Sequence, residues 1–176
     1  MRTDIVFTLS GPDRVGIVDE VTGALLAVGG NVGTSRMTRL GGEFAIIMLA
    51  SIPGERVAEL EASLEPLAQQ DYAIGIRPLA GADEREHANW LPYRVEVSGA
   101  DHEGIVHDIA RGLSDMGITI ESAETDAEPA PVSAVPLFTM NALVLVPPTL
   151  AEDEWTTAVV DAAARANVDV TIVAED

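Results

Sequence analysis

The chain has 176 residues, with 29 acidic against 10 basic side chains and a formal net charge of −19. That balance excludes direct nucleic-acid binding, which needs clustered Arg or Lys to displace counterions; Arg36 and Arg39, read as outward residues of one strand, come nearest to a cluster. The lack of cysteine excludes a disulfide framework and thiol chemistry, and no apolar run reaches membrane-spanning length. No basic-plus-apolar amino-terminal segment suggests export, so a soluble, cytoplasmic protein is expected, its acidity serving as a solvated surface.

Ile5, Phe7 and Leu9 alternate with polar neighbours and predict a half-buried strand. The loop Ser10-Gly11-Pro12-Asp13-Arg14-Val15-Gly16 follows, with Asp13 placed as a helix N-cap and Gly16 in the first helical turn. Val18, Val21, Leu25 and Val28 form one apolar helical stripe, closed at Gly29 by a left-handed cap. Asn31 to Arg39 and Glu43 to Ile52 read as a hairpin turning at Gly41-Gly42, broken by Pro53-Gly54. Val57, Leu60, Leu64 and Leu67 mark a second helix, and Tyr72 to Pro78 a closing strand.

The same order then resumes. Ser98-Gly99-Ala100-Asp101-His102-Glu103-Gly104-Ile105-Val106 repeats Ser10 to Val18 at an offset of 88 positions. Tyr93, Val95 and Val97 repeat the first strand; Val106, Ile109, Leu113 and Met116 repeat the stripe; Gly117 repeats the cap, and Thr119-Ile120 repeats Asn31-Val32. Strands over Ile118–Thr125 and Leu137–Val146, a helix around Glu152–Ala166 with Trp155, Val159 and Ala162 inward, and a strand over Val168–Val173 complete the second half. The expected fold class is α+β: two tandem ferredoxin-like βαββαβ domains with antiparallel four-stranded sheets. The domains are expected at 1–80 and 92–176, joined by a polar linker at 81–91. In place of the Gly41-Gly42 turn the second half carries 126–136, whose three prolines argue against regular pairing and for a hairpin extension, a lid or a partner-contact arm.

No paired acid–base constellation, phosphate loop or nucleophile elbow occurs, so no catalytic role and no cofactor are expected. His102 and His107 lie five apart, on different sides of a helix turn, and Asp101, Glu103 and Asp108 near them read as helix-start carboxylates meeting the dipole; no metal site is expected. Gly16 and Gly104 sit where a helix penalises glycine. Two readings fit: close packing of the helix start on a strand, or room beside free N–H groups for a small carboxylate-bearing ligand.

Asp13-Arg14-Val15-Gly16-Ile17-Val18, followed by Asn31-Val32, resembles the signature of ACT domains, and Asp101 to Val106 with Thr119-Ile120 resembles it more loosely. The two-domain arrangement, with Thr34-Ser35-Arg36-Met37 and Leu40-Gly41-Gly42-Glu43-Phe44 in the first hairpin, resembles the glycine cleavage system transcriptional repressor family over nearly the whole chain. The resemblance implies a non-enzymatic regulatory protein that binds a small amino acid, glycine or serine favoured, and forms a homodimer. It also implies a protein partner such as a DNA-binding regulator. Carried over by position, Asp13, Arg14, Val15, Gly16, Ile17, Asn31 and Val32 line the first site, and Asp101, His102, Glu103, Gly104 and Thr119 its degenerate counterpart. Asp13 is expected to face the ligand ammonium, N–H groups near Gly16 its carboxylate, with Asn31 supplied by a facing domain. Val15 departs from the proline usual before the glycine, and His102-Glu103 from the usual Arg-Pro. A ligand-free interaction scaffold and a detached regulatory subunit of a metabolic enzyme are the alternatives.

Overall fold

A computed structural model describes residues 1–79, 87–129 and 135–175. The chain divides into two compact units, Met1–Ala82 and Asp83–Asp176. The first comprises β1 (Arg2–Pro12), α1 (Ile17–Ala27), β2 (Asn31–Leu40), β3 (Glu43–Pro53), α2 (Val57–Ala68) and β4 (Ala73–Pro78). The second comprises β5 (Leu91–Ala100), α3 (Ile105–Asp115), β6 (Thr119–Glu128), β7 (Leu137–Val146), α4 (Glu152–Arg165) and β8 (Asp169–Ala174). Both sheets are antiparallel with four strands, ordered β2-β3-β1-β4 and β6-β7-β5-β8. The expected βαββαβ order therefore stands in both halves.

Each unit has its own core between the sheet's inner face and its two helices. Ile5, Phe7 and Leu9 meet Val21, Leu25, Leu60 and Leu64 in the first, and Val95 and Val97 meet Ile109, Leu113, Trp155 and Val159 in the second. The period-2 pattern of the central strands and the helical stripes produce this division directly. Two residues depart from the expected stripes. Ile17 and Ile105, the first residues of α1 and α3, are buried; Val18 is only half-buried and Val106 is 46% exposed. The stripe thus begins one residue earlier than the sequence spacing suggests.

The expected glycine caps are present. Gly29 and Gly117 take positive φ values of 71° and 70°. Gly30 N–H then donates to Leu25 O and Ile118 N–H to Leu113 O, satisfying carbonyls that the helix ends leave open. Asp71 and Asn167, at φ 65° and 50°, do the same work after α2 and α4.

Three boundaries differ from expectation. Pro53 still pairs with Arg2 at the end of β3, where only its carbonyl is asked to take part. Leu91 opens β5 opposite Val146 and so belongs to the sheet. Asp126, Ala127 and Glu128 pair with Thr139, Phe138 and Leu137, so the 126–136 segment starts as regular hairpin. Of that segment, 130–134 lies outside the described residues, as does 80–86 of the expected linker. No helix among the described residues is long and apolar enough to cross a membrane.

Candidate functional site

The two repeated loops lie between the first strand and first helix of each unit. Neither Asp13 nor Asp101 caps its helix. The N-cap residues are Gly16 and Gly104, at φ 91° and 99°, and no side chain caps either helix. The glycines are therefore outside the first turn, and the physical reason for them is the left-handed backbone that turns the chain into the helix. Packing is not the reason: a Cβ on Gly16 meets nothing within 4 Å, and one on Gly104 comes only within 3.9 Å of Asp108 Oδ2. The open N-terminus of α1 leaves the amides of Val18 and Asp19 without a capping acceptor.

In the first unit two of the three carboxylates around this opening, Asp13 and Glu20, are paired with arginines, and Asp19 is not. Asp13 Oδ2 accepts a 2.5 Å hydrogen bond from Arg39 Nε, and Arg14 Nη2 bonds Glu20 Oε2 at 2.5 Å. The Arg14 guanidinium lies 5.7 Å from the centre of the Tyr72 ring, and Tyr72 OH donates to Pro12 O at 2.6 Å. Two arginines thus neutralise two carboxylates, and the partial positive charge of the helix start is left facing solvent. Glu20, Arg39 and Tyr72 were not among the residues expected from sequence. Glu20 was open to detection, because Glu20 and Asp108 recur at the same offset as Arg14 and His102.

Asp13, Arg14 and Gly16 therefore surround the opening, and Val15 stands fully exposed beside it. The Ile17 side chain is 2% exposed in the core, so only its backbone reaches the loop. Asn31 and Val32 are elsewhere. Asn31 pairs with Ser51 and through it with Asp4, whereas the loop leaves β1 at Pro12. Those positions are separated by about 26 Å along the strand. No unit can bring Asn31 to its own loop; a site using both needs two units.

The second loop is built differently. His102 occupies the position of Arg14, with Nε2 2.6 Å from Ala166 O and Nδ1 3.0 Å from Glu103 O. A ring facing two carbonyl oxygens satisfies both only as the imidazolium, with both nitrogens donating. The hydrogen bond to Glu103 O, then that to Ala166 O, raise the His102 pKa above its usual value; partial desolvation opposes them, and Asp101 and Asp108 add to them. A raised pKa means that this stabilisation is complete below the unfolded-state pKa and is lost as pH rises through the higher folded value. The second unit should therefore lose stability as pH rises above the ordinary histidine value of 6.5, and His102→Gln should remove that dependence. An NMR titration of the His102 ring with a midpoint at or below 6.5 would contradict this account. Thr119, like Asn31, pairs at the far end of its sheet, opposite Leu145 and thence Pro92. Glu103 and Gly104 are exposed, and Asp101 N–H is engaged by Pro136 O.

Arg36 and Arg39 do not share a face. Arg36 stands opposite Ile47 and Arg39 opposite Phe44, on opposite sides of the sheet, after an irregularity between Val32 and Ser35. Among the described residues, no group of three or more His, Asp or Glu is placed to hold a metal ion.

Residues 3–74 match the family model of the ACT domain, a stretch that contains the first loop and all of its paired side chains. That match places an ACT domain in the first unit. The chain is also similar over its full length to solved structures. An unknown protein from Galdieria sulphuraria is 31% identical, with 100% of each chain covered and a TM-score of 0.87. A candidate glycine cleavage system transcriptional repressor is 20% identical, covering 100% of this chain and 99% of its own, with a TM-score of 0.72. At that identity the second likeness shows the shared tandem fold. No curated protein matches the sequence significantly. ACT domains are regulatory modules that bind small amino acids and often pair.

Proposed function

We propose that this ACT-domain protein is a non-enzymatic, amino-acid-responsive regulator whose working site is the first loop. The observation that carries this reading is the opening at Gly16: a left-handed N-cap with no side chain over it, uncapped amides behind it, and the Asp13 and Glu20 carboxylates beside it matched by arginines. In a protein of net charge −19 this is a place that accepts a small zwitterion. The ligand carboxylate takes the amides of Val18 and Asp19, and its ammonium takes Asp13, whose Oδ1 is not engaged by Arg39. Asn31 and Val32 of a second ACT unit close the site, because their own unit holds them at its far end. Glycine and serine suit a cleft this close to the backbone.

The second loop is the degenerate site. His102 clamps it to the end of α4, and Asp108 lies by Gly104, so a ligand carboxylate there meets an acid without a paired arginine. Binding at the first loop then favours one pairing of units over another, and the change is read by a protein partner. The full-length likeness to a candidate glycine cleavage repressor supports a cytoplasmic DNA-binding regulator of glycine or one-carbon metabolism as that partner, and a homodimer as the working form.

A thermal-shift screen of the standard amino acids tests the reading. A ligand that binds only the folded state raises Tm with its concentration. A dose-dependent rise for glycine or serine, lost in a folded Gly16→Leu variant, is the expected result. No rise for any amino acid at millimolar concentration rejects the sensor.

A further inference from the structure

The outer faces of the two sheets, turned away from the helices, carry opposite charge, and at one equivalent position, Arg36 against Glu124, the sign reverses outright. In an antiparallel pair, residues directly opposite one another share a face. On the first sheet the register puts Val6, Leu49 and Ile47 at the centre of the outer face, with Arg36 on β2 and Arg77 on β4 at its edges. Ile47 is 51% exposed. Neither arginine is paired with a carboxylate among the described residues, although acidic side chains outnumber basic ones by 29 to 10. Arg2, hydrogen-bonded to Ser51 and Gly29 O, and Asp4 lie at one end of this face, and Glu43 lies at the hairpin end.

On the second sheet Glu124 occupies the place of Arg36, opposite Asn141 and in line with Glu96. Asp126 and Asp169 continue the same face, around a depression of about 470 Å³. The one arginine there, Arg94, is neutralised by Glu175 at 2.5 Å. Beyond it the face turns apolar at Leu143 and Val173, the latter 48% exposed.

Like charges bar the second face from pairing with itself and set arginine against arginine if the first does so; only the unlike pairing is attractive. We infer that the outer sheet face of the first unit docks on the outer sheet face of the second unit of another copy of this chain. Two copies exchanging both contacts close a two-fold pair. Each face offers roughly 400 Å² from strand spacing and rise. Two such contacts, counted on both partners, bury roughly 1,600 Å², the size of a standard stable interface. Apolar residues supply contact area, and the arginines and carboxylates select the partner face. This deepens the homodimer part of the proposed function and is independent of ligand binding at Gly16.

The test uses the full chain and two face variants, Arg36→Glu/Arg77→Glu and Glu96→Arg/Glu124→Arg. All four positions are exposed, so both variants should keep their far-UV circular dichroism and melting cooperativity. Sedimentation velocity should show a wild-type dimer that weakens with salt, and each variant alone should dimerise about tenfold or more weakly. Mixed in equal amounts, the two variants should recover the dimer, because each contact in the mixed pair again joins unlike charges. A wild-type dimer with variants of unchanged affinity overturns the face assignment and leaves the homodimer standing. A wild-type monomer at 100-micromolar concentration, on the order of what a standard interface easily exceeds, overturns both.

Discussion

Trp155→Ala should lower the stability of the second unit by about 4 kcal/mol. Trp155 is the largest side chain in its core, 1% exposed, and its ring meets Tyr93 edge-on at a centroid distance of 4.9 Å. Truncation removes the transfer free energy of the indole and leaves a cavity that β5 and α3 cannot both move to fill. The two cores share no residue. The loss should therefore fall on one half of the protein, and a denaturation curve followed by circular dichroism should separate into two phases, with the first unit's transition unmoved. A single transition displaced by less than about 1 kcal/mol would show that the indole is not the keystone of a separate core.

Gly11→Ala should destabilise the first unit by about 2 kcal/mol through overpacking. A Cβ there comes within 2.5 Å of Tyr72 Cδ1 and 3.0 Å of Asp71 O. The Tyr72 ring moves only by giving up its hydrogen bond to Pro12 O and its place beneath Arg14, so the strain is transmitted to the candidate site. Gly23→Ala is the control. Gly23 lies exposed inside α1 with nothing within 4 Å of a Cβ. That substitution should stabilise by about 0.5–1 kcal/mol, from helix propensity alone. Equal effects of the two substitutions in chemical denaturation would remove close packing at Gly11 as an explanation.

Most of the fold was legible because duplication writes it twice. Alternation at Ile5, Phe7 and Leu9 recurs at Tyr93, Val95 and Val97, and agreement at one offset across strand, helix and cap is hard to produce by chance. The site was less legible, for two physical reasons. A glycine one residue before a helix and a glycine in its first turn look alike in sequence, yet only the former takes the positive φ observed at Gly16 and Gly104. The partners of the loop residues are set by tertiary pairing: Arg39 reaches Asp13 across 26 positions and His102 reaches Ala166 across 64, distances at which periodicity carries no information. Asn31 shows the opposite case. Its place in the strand was readable, but only the register reveals that it stands at the end of the sheet remote from its own loop.

Amide chemical shifts of the labelled protein, titrated with glycine and then serine, test most directly whether the opening at Gly16 binds an amino acid. Binding there should give saturable shifts at Gly16, Val18 and Asp19 and at Asn31 and Val32, all following one binding curve, with the amides of Gly104 to His107 unmoved. Shifts confined to other parts of the chain, or none at millimolar amino acid, would contradict it.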